Sequence, residues 1–417
     1  MRLLRPCVWC WTDRPCQLIQ ALKRDRQCQQ ILKHLLVLYL VTFLLILPVL
    51  CFKLRFSVYH IRPRPEEAEK NYMKAENNER VKQAVKTIEA HRASLTHAPE
   101  DSSAVDVAIT IITLSRNRHK FGSFEPKYLS QAVSSYLQLL HTPEAQEKHY
   151  KLYICGVDTE PHTYYEYKNL TRFLPSFQRF ADHGKRVSVP DVFTKEKDDY
   201  VYCLNQTLQT GAKNVLLVED DALPLADLFL VLNHVMDTHL HTLHREVNQG
   251  DQQAPAFIKL YHPDRLLGYW SPEVDRIPQL LAFGCLWGSL LCVLYGRKYS
   301  SSSSCLWAMF CLYFMLVAMA IGRQNLLEWR RLSKHFYLYT RTASCCTPAI
   351  LYPKVGAEKV VRFLAGKTSH RDFPKDMALD EFRGKTGSSA YMIQPNLFRH
   401  IGLISSLRST VLNPFAV

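Results

Sequence analysis

Two uncharged apolar stretches lie deep inside the 417-residue chain, residues 280–295 (LLAFGCLWGSLLCVLY) and 305–321 (CLWAMFCLYFMLVAMAI), with nine residues between them. As helices they reach about 24 and 26 Å, the short end of what a bilayer needs. Gly296, Arg297, Lys298, Tyr299 and the serines of 300–304 separate them. The pair reads as a membrane hairpin; a re-entrant hairpin or a buried helical pair is the alternative. A third stretch, 35–52 (LLVLYLVTFLLILPVLCF), reaches about 27 Å and tolerates Pro48 near its end. With 34 residues before it and no small-residue cleavage pattern after it, this stretch reads as a retained signal anchor.

A hairpin returns the chain to the side it left, so residues 53–279 and 322–417 share a compartment and can build one domain. Charge indicates which side that is. Arg2, Arg5, Arg14, Lys23, Arg24, Arg26 and Lys33 precede the anchor against only Asp13 and Asp25, and Lys53 and Arg55 after it do not reverse the bias. Positive-inside behaviour places the N-terminus and the Arg297-Lys298 turn in the cytosol. The expected organisation is a cytosolic basic tail 1–33, a signal anchor 34–52, a lumenal stem 53–104, a first catalytic part 105–279, membrane helices 280–295 and 305–321 around a cytosolic turn 296–304, and a second catalytic part 322–417. The formal charge of +14 sits largely beside these segments or is dispersed. It points to the lipid bilayer as partner and needs no nucleic acid.

Two features fit a lumenal domain. Asn169-Leu170-Thr171 and Asn205-Gln206-Thr207 are glycosylation acceptors in that setting. Nine cysteines fall in the tail or at membrane segments (Cys7, Cys10, Cys16, Cys28, Cys51, Cys285, Cys292, Cys305, Cys311). Cys155, Cys203, Cys345 and Cys346 remain for one or two disulfides of unspecified pairing. Cys7-x-x-Cys10 lacks the second pair of a structural zinc site.

Residues 61–104 form a polar stem with a helix expected over 68–93. Short runs rich in valine, isoleucine and leucine follow at 107–114, 152–157 and 214–218, with a helix between the first two over 126–140. Such runs are interior strands covered on both faces, so the domain reads as three-layer α/β, with ligands expected at the C-terminal strand ends. No Walker loop or dinucleotide fingerprint occurs at the first strand turn, which argues against an ATPase or dehydrogenase.

The strand at 214–218 runs straight into Glu219-Asp220-Asp221. Carboxylates at a strand end can hold a hard divalent ion that neutralises a departing diphosphate; a solvated acidic loop is the bland alternative. In an extended segment Glu219 and Asp221 point to one side and Asp220 to the other. Asp221 is therefore the expected direct ligand, Glu219 a ligand directly or through water, and Asp220 a group orienting sugar or nucleotide. Ser115 and Arg116 at the first strand end, and Asp158 after the second, are candidates for the nucleotide, or simply solvated termini. After the hairpin, Asp380 and Glu381 offer a general base for a sugar hydroxyl, or a helix cap or wet face. His400, in Pro395-Asn396-Leu397-Phe398-Arg399-His400-Ile401-Gly402, either joins the ion or is structural.

This assembly resembles the Golgi glycosyltransferases of the GT-A type. Within them it is similar, over essentially the whole chain, to the post-GPI-attachment N-acetylgalactosamine transferases, with an N-terminal anchor and a transmembrane hairpin inserted in the catalytic domain. Glu219-Asp220-Asp221 resembles that family's acidic metal motif, departing from strict Asp-x-Asp at Glu219. Residues 395–402 look like the C-terminal motif of N-acetylglucosamine transferases that branch N-glycans, which raises His400 to a metal or diphosphate contact. The resemblance implies a GT-A-like domain, Golgi residence, Mn2+, UDP-GalNAc as donor and GPI-anchored proteins as acceptors. The implied reaction is inverting: N-acetylgalactosamine goes in β linkage to the first mannose, with Asp380 or Glu381 as base. The competing readings are a Golgi transferase for another UDP-sugar and acceptor, and a non-catalytic lumenal glycan-binding scaffold.

Overall fold

A computed structural model describes residues 29–96, 104–116, 124–181, 183–189, 191–240, 255–270, 276–299, 304–371, 373–405 and 410–411. Cys7, Cys10, Cys16, Cys28, the tail's basic residues before them and among them, Asn117, Arg118 and the serines of 300–303 lie outside these described residues. The chain divides into two compact units: residues 1–61 with 274–326, and residues 62–273 with 327–417.

In the first unit three helices are long and apolar enough to cross a membrane: Gln29–Cys51, Arg276–Gly296 and Ser304–Ile321. Leu36, Leu44, Val49, Leu286, Val293 and Leu312 lie exposed along them, a surface that suits hydrocarbon rather than water. In the first helix a π-helical turn, Thr42–Ile46, precedes Pro48, whose missing N–H interrupts the regular hydrogen-bond ladder. The second helix, Arg276–Tyr299, overruns its apolar stretch at both ends. Its polar start is held by Arg323, whose Nε and Nη2 donate to Gln279 Oε1 at 3.0 and 2.9 Å.

Gly284 and Gly288, one turn apart, let the second and third helices touch. A Cβ on Gly288 would stand 2.6 Å from the Cys311 backbone nitrogen, and one on Gly284 would stand 2.8 Å from the Cys311 carbonyl oxygen. This is the small-xxx-small device of membrane helix pairs. Polar side chains add cross-links: Thr42 Oγ1 lies 2.8 Å from the Tyr313 hydroxyl, and Trp307 Nε1 donates to Ser289 Oγ at 2.9 Å.

The second unit is built on strands β1 (Val107–Thr113), β2 (Tyr150–Gly156), β3 (Ser176–Gln178), β4 (Asn214–Glu219), β5 (Ala222–Pro224), β6 (Phe257–Lys259), β7 (Leu338–Arg341), β8 (Ala349–Pro353), β9 (Ala390–Gln394) and β10 (Phe398–His400). Eight of them form one sheet in the order β3-β2-β1-β4-β8-β6-β9-β7, while β5 pairs with β10. β1 runs parallel to β2 and β4, whereas β8 runs antiparallel to both β4 and β6. Strands from after the hairpin thus interleave with strands from before it, and neither segment holds the sheet alone.

Strand alternation sorts the core. Leu216 and Val218 of β4 face helices α2 (Tyr128–Leu139) and the later Leu228–Val235, while Val215 and Leu217 face Val192–Leu208, Lys354–Ala365 and Lys375–Thr386. These two apolar layers on one sheet are the expected three-layer α/β architecture. The 31-residue helix α1 (Glu66–Thr96) differs from a free-standing spacer. Asn77, Ala84 and Ile88 are buried against the sheet's helical layer, where Gln131 Nε2 donates to Asn77 Oδ1 at 2.9 Å and Arg80 Nε to Gln131 Oε1 at 2.8 Å. Cys155 pairs with Cys203, tying β2 to the helix Val192–Leu208, and Cys345 pairs with Cys346.

Candidate active site

The C-terminal ends of β1, β2 and β4 meet where the sequence pattern anticipates a ligand. Asp158, after β2, accepts from the Ser115 backbone N–H through Oδ2 and from the Glu160 N–H through Oδ1, both at 2.7 Å. It shapes the strand end that carries Ser115 and Arg116. Arg116 is largely buried at its side chain, and its Nη2 donates to Asp220 Oδ1 at 2.7 Å, with Asp221 Oδ2 3.5 Å away. Thr113 donates to Asp220 Oδ2 at 2.7 Å. Burial opposes the charge on Arg116, but the two aspartates outweigh it and hold the guanidinium firmly protonated. Burial pushes the Asp220 carboxyl up despite that partner.

Asp221 and His400 come together through a strand pairing. The chain turns at Asp220 and Asp221, enters β5, and β5 pairs antiparallel with β10 so that Ala222 faces His400. The Ile401 N–H then donates to the Asp221 carbonyl at 2.8 Å, and His400 Nε2 stands 3.6 Å from Asp221 Oδ2. The Tyr261 ring packs 5.9 Å from the His400 ring. Burial pushes the Asp221 carboxyl up, but His400 and Arg116 together hold it well below the ordinary range; burial pulls His400 down, and Asp221 more than restores it.

Gly402 completes this corner. A Cβ there would lie 2.5 Å from Asp221 Oδ2 and 3.0 Å from His400 Nε2, so any larger residue must displace one or both side chains. Asp221 Oδ1 is buried without a hydrogen-bond partner. Stranding a carboxylate oxygen costs about 1–3 kcal/mol unless something else fills its coordination.

Glu219 goes elsewhere. Its Oε1 accepts from Lys375 Nζ at 2.8 Å, and the same ammonium lies 2.9 Å from Glu196 Oε1. Burial disfavours the ammonium, but the two glutamates outweigh it and keep Lys375 charged. The chain turns at Asp220 and Asp221, and Glu219, while engaged by Lys375, still bears electrostatically on His400. Among the described residues no three His, Cys, Asp or Glu side chains converge as a metal-holding group. The expected set of Glu219, Asp221 and His400 is therefore brought together only as Asp221 with His400.

Asp380 and Glu381 lie on the helix Lys375–Thr386, beyond the Lys375 that meets Glu219. Asp380 pairs with Arg383 at 3.1 Å, and Glu381 pairs with Lys367 at 2.8 Å and with Lys385 at 2.5 Å. The ion pairs of these two carboxylates thus run along their own helix and to Lys367. Asn169 and Asn205 are both exposed, although Thr207 of the second acceptor is buried against Thr110, 2.8 Å between hydroxyls.

Beside Asp220 opens a cavity of about 430 Å³ lined by Ser115, Arg116, Tyr128, Tyr164, Glu166 and the α1 residues Ile88 and Arg92 among others. Glu166 Oε1 accepts from the Ser130 N–H at 2.7 Å, and burial pushes its carboxyl up to about 7. Glu166, Lys375 and Glu196 were not singled out from sequence. They sit in ordinary charged helical contexts, and only the folded chain shows the burial of Lys375 and the partners of the two glutamates.

Comparison with known proteins bears on this geometry. The family model for the GPI-N-acetylgalactosamine transferase PGAP4 matches residues 107–399, from the first residue of β1 through the membrane hairpin to the residue before His400. The chain belongs to that family. Family membership makes it a glycosyltransferase with a GT-A-like mixed α/β core, of a Golgi-type, multi-pass membrane class, and its assigned reaction is transfer of N-acetylgalactosamine to GPI. Two solved structures are also similar. TarS 1-349 of S. aureus matches at 12% identity over 38% of this chain and 36% of its own, TM-score 0.22. The mannosyltransferase PcManGT from Pyrobaculum calidifontis, in complex with GDP-Man and Mn2+, matches at 13% identity over 54% of this chain and 52% of its own, TM-score 0.23. At such scores neither informs the site, and the matched part spans about a third and about half of those chains.

Proposed function

We propose that the chain transfers N-acetylgalactosamine from UDP-GalNAc, with inversion, to the first mannose of a protein-linked GPI glycan on the lumenal face of the Golgi membrane. The observation that carries the site assignment is the unpartnered Asp221 Oδ1 beside His400, in a corner that Gly402 keeps open. These two donors fit a hard divalent ion whose other ligands come from a diphosphate and water. Asp221 and His400 would hold Mn2+, which supplies positive charge for the departing UDP.

The chain's own groups do the rest. Arg116 brings a fixed positive charge to the strand ends, suited to diphosphate oxygens, and Asp220 holds it in place. Ser115 offers a hydroxyl to the nucleotide, on a turn whose backbone Asp158 fixes. Lys375 pairs with both Glu219 and Glu196 and offsets part of their negative charge beside the donor. For the base that takes the mannose proton, Asp380 is the better of the two candidates. Glu381 is held by two lysines that depress its carboxyl, whereas Asp380 pairs directly with Arg383 alone among the described residues and feels Lys259 at longer range. A base acting from the face opposite the leaving UDP gives the β product from an α donor.

Full-length protein in lipid nanodiscs, given a panel of UDP-sugars, Mn2+ and GPI-glycan acceptor, tests this reading. Transfer from UDP-GalNAc to the first mannose is the expected result. Transfer only from a different nucleotide sugar overturns the donor assignment, and donor binding without turnover supports a glycan-binding scaffold instead. Unchanged transfer in both Asp380→Asn and Glu381→Gln removes the base assignment.

A further inference from the structure

The segment that follows the third membrane helix is fastened to the catalytic unit with its apolar side chains turned outward. Glu328–Leu332 and Lys334–Phe336 form consecutive 3-10 turns. Arg331 is the fastener: Nη1 donates to Asp227 Oδ2, Nη2 to the Asn396 carbonyl, both at 2.7 Å, and Nε to Glu328 Oε2 at 2.6 Å. The Tyr337 hydroxyl donates to the same Asp227 carboxylate. Arg330 Nη1 donates to the Phe336 carbonyl at 2.7 Å and closes the segment on itself.

What this fastening leaves outside is Trp329, 71% exposed, Leu332, 77%, and Phe336, 53%. Tyr269 is near enough to act on the Arg330 guanidinium, which brings the adjoining Trp270, 88% exposed, to the same part of the unit. Large apolar side chains left out of the core together mark contact surfaces rather than ordinary wet ones. Tryptophan and phenylalanine beside arginine, lysine and histidine (Arg330, Lys334, His335) is the composition of a bilayer interface, where rings enter the headgroup layer and cations meet phosphates.

Chain connectivity selects a lipid surface over a protein partner. Trp329 comes eight residues after Ile321, where the third membrane helix ends, and Trp270 six residues before Arg276, where the second begins. Eight residues span at most about 28 Å, so the patch cannot move far from the bilayer that holds the hairpin. We propose that Trp270, Trp329, Leu332 and Phe336 form an interfacial lipid-contact patch that seats the catalytic unit on the membrane surface. Because Arg331 binds the Asn396 carbonyl and Asn396 leads into β10, the patch and His400 belong to one continuous hydrogen-bonded piece.

Bromolipid quenching in the full-length protein tests this without reference to activity. Nanodiscs are prepared with phosphatidylcholine either plain or brominated on the acyl chain, and the emission of Trp329→Phe is subtracted from that of the unaltered chain; Trp270→Phe is treated likewise. The subtracted emission should lose most of its intensity in brominated discs. Emission indifferent to bromine overturns the proposal, whether aqueous acrylamide quenches it, which indicates a solvated patch, or fails to, which indicates a covering protein. As a second reading, Trp329→Asp/Leu332→Asp should raise KM several-fold for bilayer-embedded acceptor and leave KM for soluble GPI glycan unchanged. The same change in KM on both acceptors, or no change on either, would also overturn it.

Discussion

The membrane unit and the catalytic unit both depend on glycine, to opposite ends. Gly288 removes the space between two helices, and the atoms a Cβ would strike there include the backbone nitrogen and Cα of Cys311. Gly402 preserves space, and the atoms a Cβ would strike are the side-chain tips of Asp221 and His400. Backbone in a packed helix cannot yield without moving the helix, whereas side-chain tips can rotate away. The same added methyl should therefore cost stability in one unit and chemistry in the other.

Three substitutions probe that contrast. The largest effect is expected from Asp221→Asn, which keeps the shape of the Gly402 corner and removes its charge. GalNAc transfer should fall on the order of 10²–10³-fold in protein that still folds, with some loss of thermal stability as Arg116 and His400 lose a partner. Retained transfer would dissociate the corner from the chemistry. Gly402→Ala comes next: transfer should drop on the order of 10–10²-fold as Asp221 and His400 are displaced, with little change in unfolding. A loss of folding instead would mean the corner is as rigid as the hairpin, and the contrast would break. Gly288→Leu should destabilise the hairpin by about 1–3 kcal/mol, read by detergent-dependent unfolding, while UDP-GalNAc binding persists. Unaltered helix packing would show that the close approach at Cys311 is dispensable.

The smallest expected effect concerns Glu166. Its folded carboxyl titrates near 7, above the ordinary glutamate value, so the folded state keeps a proton that the unfolded state has lost. Stability should consequently decline as pH rises from about 4.5 to 7, where this group contributes, and Glu166→Gln should flatten that part of the profile. A denaturation series across this window checks it, and an unaltered slope in the variant would place the titration elsewhere.

The two units also differed in how much of them could be read from residues alone. The membrane helices and the strands at β1, β2 and β4 announce themselves because each carries its signal locally, as apolar length or β-branched runs. The acidic motif was legible for the same reason, since Asp221 follows directly on a strand. Pairings between distant segments were not. Nothing local in Ala349–Pro353 says that it lies between β4 and β6, and nothing in Lys375 says that it neutralises Glu219. Alternation along a strand could not foresee the turn at Asp220 and Asp221 or the lysine that engages Glu219. The Gly284–Gly288 spacing was visible but had no meaning until a partner helix stood against it.

The position of β8 between β4 and β6 has a consequence for biogenesis. Both neighbours are synthesised before the hairpin, and the strand that joins them is not made until after it. At about 5–20 residues per second, the roughly 90 residues from the end of β6 to the start of β8 take on the order of 5–20 seconds. During that interval one edge of β4 and both edges of β6 wait for partners still on the ribosome or in the translocon. The hairpin's insertion is thus timed inside the folding of the enzyme, and a nascent chain that stalls between Arg276 and Pro348 should persist as a chaperone-bound half-sheet rather than a smaller domain.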